Sequence, residues 1–179
     1  RRALAAFQEQ DLRPLARPFL SRLVSLARPC NELLPLWQKM QHASPEYVLG
    51  WSTLAVWYAR CDRPVEARAM LKVARSMLGR DPDTDYHVAY NGALAHMVDL
   101  DVAGAQEWLD LLGQHWTPAR GDEQYFTLLS LHDHLQGRYR DGLEQTRKGL
   151  ELLQAPDYRF TVLATSYVHM LIAQGLAED

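Results

Sequence analysis

The histidines, cysteines and clustered carboxylates are the residues whose type and spacing could do chemistry in this chain. The densest group is His132-Asp133-His134. Two imidazoles beside a carboxylate suit a metal ion or a proton relay. On a helix, however, residues two apart point about 200° away from each other, so the two rings cannot share one ion. The other histidines, His42, His87, His96, His115 and His169, show no i, i+4 pairing. Nothing matches the H-E-x-x-H pattern of zinc hydrolases. Asp81-Pro82-Asp83-Thr84-Asp85 opens like a calcium loop. Tyr86 then stands where that loop needs Gly, and Gly92 where it needs a bidentate Glu. The stretch is expected to be an acid-rich helix cap. No glycine-rich phosphate cradle of either common type is present. The pairs to inspect for general acid–base work are His134 with Asp133 and His96 with Asp99. The expectation is a chain with no catalytic residue, no metal, no cofactor and no enzymatic activity.

Two cysteines, Cys30 and Cys61, stand far apart. They form no C-x-x-C pair and are too few for a disulfide framework, so two reduced thiols in a cytoplasmic setting are expected, with one disulfide between them the minor alternative. The 179 residues carry a net charge of −3 and are 47% hydrophobic and 23% charged. These are globular proportions. A nucleic-acid partner is not expected, because phosphate contact needs a surplus of Lys and Arg. The charge is uneven: residues 1–40 hold seven cations and three anions, a net +4 that leaves −7 for the remainder. The reading preferred is solvated helix faces, with steering of a partner second. No apolar run reaches the roughly 18 residues of a membrane span. The chain opens on Arg1 rather than Met, so a fragment of a longer protein is one expectation.

The elements that position these residues read as helices throughout. Arg63-Pro64, Asp81-Pro82, Thr117-Pro118 and Ala155-Pro156 place Pro where a helix begins, and Ser44-Pro45 reads as an N-cap with Pro at the first helical position. Gly79, Gly113 and Gly137 fall where helices should stop. The segments between are roughly 12 to 18 residues long with short turns, the rhythm of antiparallel helix pairs. In the first helix of the pair beginning at Trp51, Trp51, Leu54, Ala55 and Tyr58 share one face. Ala67, Leu71 and Ala74 share one face of the second. The small residues let the backbones approach and the large ones fill the space around them.

These seven positions resemble the tetratricopeptide repeat, a helix–turn–helix unit of about 34 residues. Phe126, Leu129, Ser130, Gly137, Tyr139, Gly142 and Gly149 resemble it again, with Asp133 and Thr146 departing from the aromatic and large apolar types. Phe160, Leu163, Ala164 and Tyr167 repeat the first-helix pattern. The resemblance implies an all-α superhelical stack of antiparallel helix pairs. It would be a single domain over 1–179, with a degenerate pair at about 14–41, repeats at about 45–79, 82–113 and 119–153, and a final helix at about 156–175. Pro35 predicts a kink or a late start in the first of these units. The first helix of the unit at 82–113 fits more than one register.

In that family the first helices line a concave groove for a peptide or a partner's helix. The resemblance puts Leu49, Ser52, Val56, Ala59 and Arg60 on this groove, then Tyr90, Asn91 and Leu94, then Gln124, Thr127, Leu131 and His134, and finally Tyr158, Thr161, Thr165 and Val168. The lining is apolar and uncharged polar, with only Arg60 and Asn91 suited to a terminal carboxylate. It therefore implies a neutral peptide or an amphipathic helix rather than a carboxylate clamp. The expected role is a protein–protein interaction module: a bacterial adaptor, a secretion chaperone or a scaffold segment. The alternative is a regulatory or sensor domain of a larger transcriptional or signalling protein. Self-association is left open.

Overall fold

A computed structural model describes residues 30–117 and 123–152, all of it helix and turn with no strand among the described residues. The helices are α1 (Cys30–Ala43), α2 (Val48–Arg60), α3 (Pro64–Ser76), α4 (Pro82–Val98), α5 (Val102–His115), α6 (Gln124–Leu135) and α7 (Tyr139–Leu152). Each packs on its neighbour in sequence, and α2, α4 and α6 also pack side by side. The expected helices at 18–28 and 156–175 lie outside the described residues.

The α2–α3 pair follows the expected faces. Leu54, Ala55, Tyr58, Ala67, Leu71 and Ala74 are all buried, with Ala55 and Ala74 at 0% exposure. Burying Leu54, Tyr58 and Leu71 contributes about 1.5–3 kcal/mol each. Trp51 is half-buried, and its indole N–H donates to the carbonyl of Pro45 at 2.8 Å. In the α6–α7 pair the two departures from the family types are matched by polar partners. The Ser130 and Thr146 hydroxyls, both buried, are 2.7 Å apart, and the Asp133 carboxylate pairs with Arg138.

Three turns share one geometry. Asp62, Leu100 and Gly137 each have φ between 57° and 72°. The next residue's N–H closes each turn onto the carbonyl five residues back: Arg63 to Tyr58, Asp101 to His96 and Arg138 to Asp133, at 2.8–2.9 Å. That is the bond of the Schellman helix stop. The turns recur every 37 or 38 residues and join α2 to α3, α4 to α5 and α6 to α7.

Three boundary expectations and one about the cysteines need correction. Ser44-Pro45 is a turn and α2 begins at Val48, because the Gln41 amide donates to the carbonyls of Ser44 and Tyr47 and holds the chain away from helix until there. Gly113 lies inside α5, with the Tyr125 hydroxyl 3.1 Å from where a Cβ would stand. Helix α1 starts at Cys30, ahead of an exposed Pro35, so of the two expected effects of this proline the late start does not occur. Cys30 and Cys61 are bonded to each other rather than reduced. The antiparallel packing of α1 on α2 brings the first residue of α1 to the C-cap of α2, a proximity that 31 residues of sequence separation conceal.

Candidate functional site

A cavity of about 440 Å³ opens between α1, α2 and α4 and reaches Gln124 at the start of α6. Helix α2 gives it Leu49, Thr53, Val56, Trp57 and Arg60, one continuous stripe at i, i+4, i+7, i+8 and i+11. Helix α4 gives His87, Tyr90, Asn91 and Leu94, a second stripe at i, i+3, i+4 and i+7. Trp37 of α1 and Tyr47 of the α1–α2 turn complete the wall.

Local sequence explains how these side chains are held. Asp81 caps α4, its carboxylate accepting from the backbone N–H groups of Asp83 and Thr84, so the acid-rich stretch is the helix cap expected of it. Asp85 accepts from the Gly79 N–H through both oxygens and ties the α3–α4 turn to the helix. The Asn91 amide donates to the Ser52 hydroxyl at 3.0 Å and reaches the Thr53 hydroxyl at 3.5 Å, fixing α4 against α2 at the cavity's edge. On the far side of α4, a Cβ on Gly92 would come within 2.3 Å of the Trp108 ring, so only Gly lets α5 approach this closely.

The electrostatics of the cavity are simple. The Arg60 guanidinium is exposed, lies 5.4 Å from the Trp57 ring centroid, and has no carboxylate partner among the described residues. The indole N–H groups of Trp37 and Trp57 are both buried and have no hydrogen-bond partner among the described residues. A buried donor left without an acceptor costs about 1–3 kcal/mol. The cavity therefore combines aromatic and aliphatic walls with one cation at its rim.

The expected groove residues divide. The structure brings Leu49, Val56, Arg60, Tyr90, Asn91, Leu94 and Gln124 to this cavity. Ser52 is 0% exposed and Ala59 is buried, both turned into helix contacts instead. Thr127 is held by its hydroxyl on the Glu123 carbonyl, Leu131 is exposed outside the cavity, and His134 packs on Tyr139 with ring centroids 5.1 Å apart. Tyr158, Thr161, Thr165 and Val168 lie outside the described residues. Trp37, Tyr47, Thr53, Trp57 and His87 are additions. Thr53 and Trp57 continue the i, i+4, i+8 series from Leu49, a signal present in the sequence. Trp37 had no comparable signal, because α1 carries no repeat motif.

The pairs singled out for acid–base work are held in structural contacts. Asp133 is paired with Arg138, and His134 packs on Tyr139 instead. His96 meets Asp101 at 2.9 Å rather than Asp99, which pairs with Arg68. The Gly104 N–H and then His96 hold the Asp101 carboxyl below the usual aspartate range. Among the described residues no group of three metal-ligating side chains converges, and no helix is long and apolar enough to cross a membrane. No known family's sequence pattern matches the chain, and no curated protein matches it.

Proposed function

We propose that the chain is a protein–protein interaction module, a tetratricopeptide-like stack of helix pairs that takes a peptide or an amphipathic helix in the cavity between α1, α2 and α4. The single observation that carries this reading is one cavity walled by continuous stripes of α2 and α4, aromatic and aliphatic, with a cation at its rim. The rings of Trp37 and Trp57 line it beside Arg60, which has no carboxylate partner among the described residues. Tyr90 and Leu94 face the same space. A cavity of about 440 Å³ lies within the 300–1,000 Å³ of ordinary ligand sites and accommodates a few side chains of an extended or helical segment. The recurring turn every 37 or 38 residues supports the stacked-pair architecture. In such a stack a regularly lined face is the usual binding surface. Adaptor, secretion chaperone and scaffold segment are the roles proposed for it, with a sensor domain of a larger regulatory protein the alternative.

The test is selection of a random displayed-peptide library on the immobilised chain. Enriched peptides are expected to carry an acidic residue next to apolar ones. They should lose binding to Arg60→Glu and Leu49→Arg and retain it on Leu131→Arg, whose side chain is exposed away from the cavity. Equal binding to all variants, or no enrichment, removes the cavity from the function.

A further inference from the structure

The Cys30–Cys61 disulfide sits at one end of the aromatic wall. Cys30 is the first residue of α1, and Trp37 lies seven residues on, two turns along the same helix face. Cys61 is the C-cap of α2, and Trp57 lies four residues back, one turn away on its face. The bond therefore stands in line with both tryptophans that line the cavity, and it is adjacent in sequence to Arg60. Among the described side chains, further polar ties of α1 lie in its C-terminal half. The Gln38 amide donates to the Tyr58 hydroxyl, and the Gln41 amide donates to the Ser44 and Tyr47 carbonyls. Leu34, Leu36, Trp37 and Met40 supply the buried apolar contacts. Both cysteines are only half-buried, so an attacking thiolate can reach the sulfurs.

We propose that this disulfide is a redox latch on the wall of the cavity. While it is formed, the first turns of α1 are pinned to the end of α2 and Trp37 is held in place. A dithiol reductant opens it by ordinary exchange. One thiolate attacks a cysteine sulfur, breaks the S–S bond and forms a mixed disulfide. The second thiolate of the reductant displaces the remaining cysteine. The reductant leaves as its cyclic disulfide after giving up two electrons, and its two protons end on the Cys30 and Cys61 thiols. With the latch open, the first turns of α1 loosen by local unfolding and the Trp37 wall is lost. This regulates the site proposed above and rests on that reading for its consequence, while the latch itself is measured without any partner.

The experiment uses the full chain purified in air, the same protein in dithiothreitol, and a Cys30→Ser/Cys61→Ser variant. Thiol titration in denaturant is expected to find no free thiol before reduction and two after it. Amide exchange read by mass spectrometry is expected to speed up on reduction by roughly tenfold or more over Cys30–Ala43 relative to Pro64–Ser76. Dithiothreitol should have no effect on the serine variant. If that variant fails to fold, the wild-type arms decide alone. Two free thiols in the air-purified protein overturn the proposal, as does unchanged exchange in α1. A rise in Pro64–Ser76 as large as that in Cys30–Ala43 also overturns it, because the bond would then act only as a staple for the whole fold. A chain that passes this test yet selects no peptide keeps the latch and loses only the peptide reading.

Discussion

At the scale of single residues, two positions hold conformations or charges that make them sensitive. Leu100 takes φ 57° at the turn where its counterpart is Gly137, and its side chain is 71% exposed. A left-handed backbone costs a residue with a Cβ about 1–2 kcal/mol, and little burial is lost on removing this leucine. Leu100→Gly is therefore expected to stabilise the chain by about 1 kcal/mol, less than that strain because glycine also loses more chain entropy on folding. A urea denaturation midpoint at or below wild type would count against the shared-turn geometry. Asp101 caps α5 through the Gly104 N–H while pairing with His96 and lying 4.0 Å from Arg68. Its folded pKa is depressed. Such a carboxyl contributes stability above its unfolded value, about 4, and loses it as pH falls through the folded value. Asp101→Ala should cost about 1 kcal/mol near neutral pH, and the difference from wild type should shrink below pH of about 4. Unfolding curves at neutral and acidic pH check both the size and the sign.

At the scale of elements, small residues set how close the helices come. Ala55 and Ala67 are both buried where α2 packs on α3, at the small positions the sequence pattern assigns. Between α4 and α5 the same task falls to Gly92, which no repeat motif marks. Adding one methyl there gains up to about 1 kcal/mol of helix propensity. It also drives a Cβ to 2.3 Å from the Trp108 ring. That ring is buried and has Arg75 5.4 Å from its centroid, so it has little room to give way. Overpacking wins, and Gly92→Ala is expected to lose about 1–3 kcal/mol, seen as a lower melting temperature. The register of α4 was illegible in sequence for a related reason. Tyr86, Val88, Ala89, Ala93, Ala95 and Met97 are all buried, on more than one side of the helix. A helix covered on several sides has no polar face to fix its phase.

At the scale of the whole molecule, the disulfide closes a loop holding α1, the turn and α2. For a sequence separation of 31, loop-closure entropy gives about 3–4 kcal/mol of stabilisation lost on reduction. That is less than the roughly 5–15 kcal/mol of a typical domain, so the reduced chain is expected to remain folded. Paired urea titrations with and without dithiothreitol measure it, and a shift near zero would remove the bond from the stability of the fold.

What the sequence determined by itself is local. Helix periodicity, the prolines opening α3 and α4, the positive-φ glycines Gly79 and Gly137, and the buried faces of α2 and α3 all follow from spacings within one or two turns. So does the divergence of His132 and His134 on α6, which meet the Val102 carbonyl and the Tyr139 ring respectively. Tertiary structure alone decided what depends on distant segments meeting: the Cys30–Cys61 bond, Trp37 beside the α2 and α4 stripes, and His96 with Asp101 in place of Asp99. It also turned the groove stripe of α2 from Ser52 to Thr53 and Trp57. The physical reason is that a helix fixes which residues share a face, while the neighbour that each face meets is chosen by packing among helices far apart in the chain.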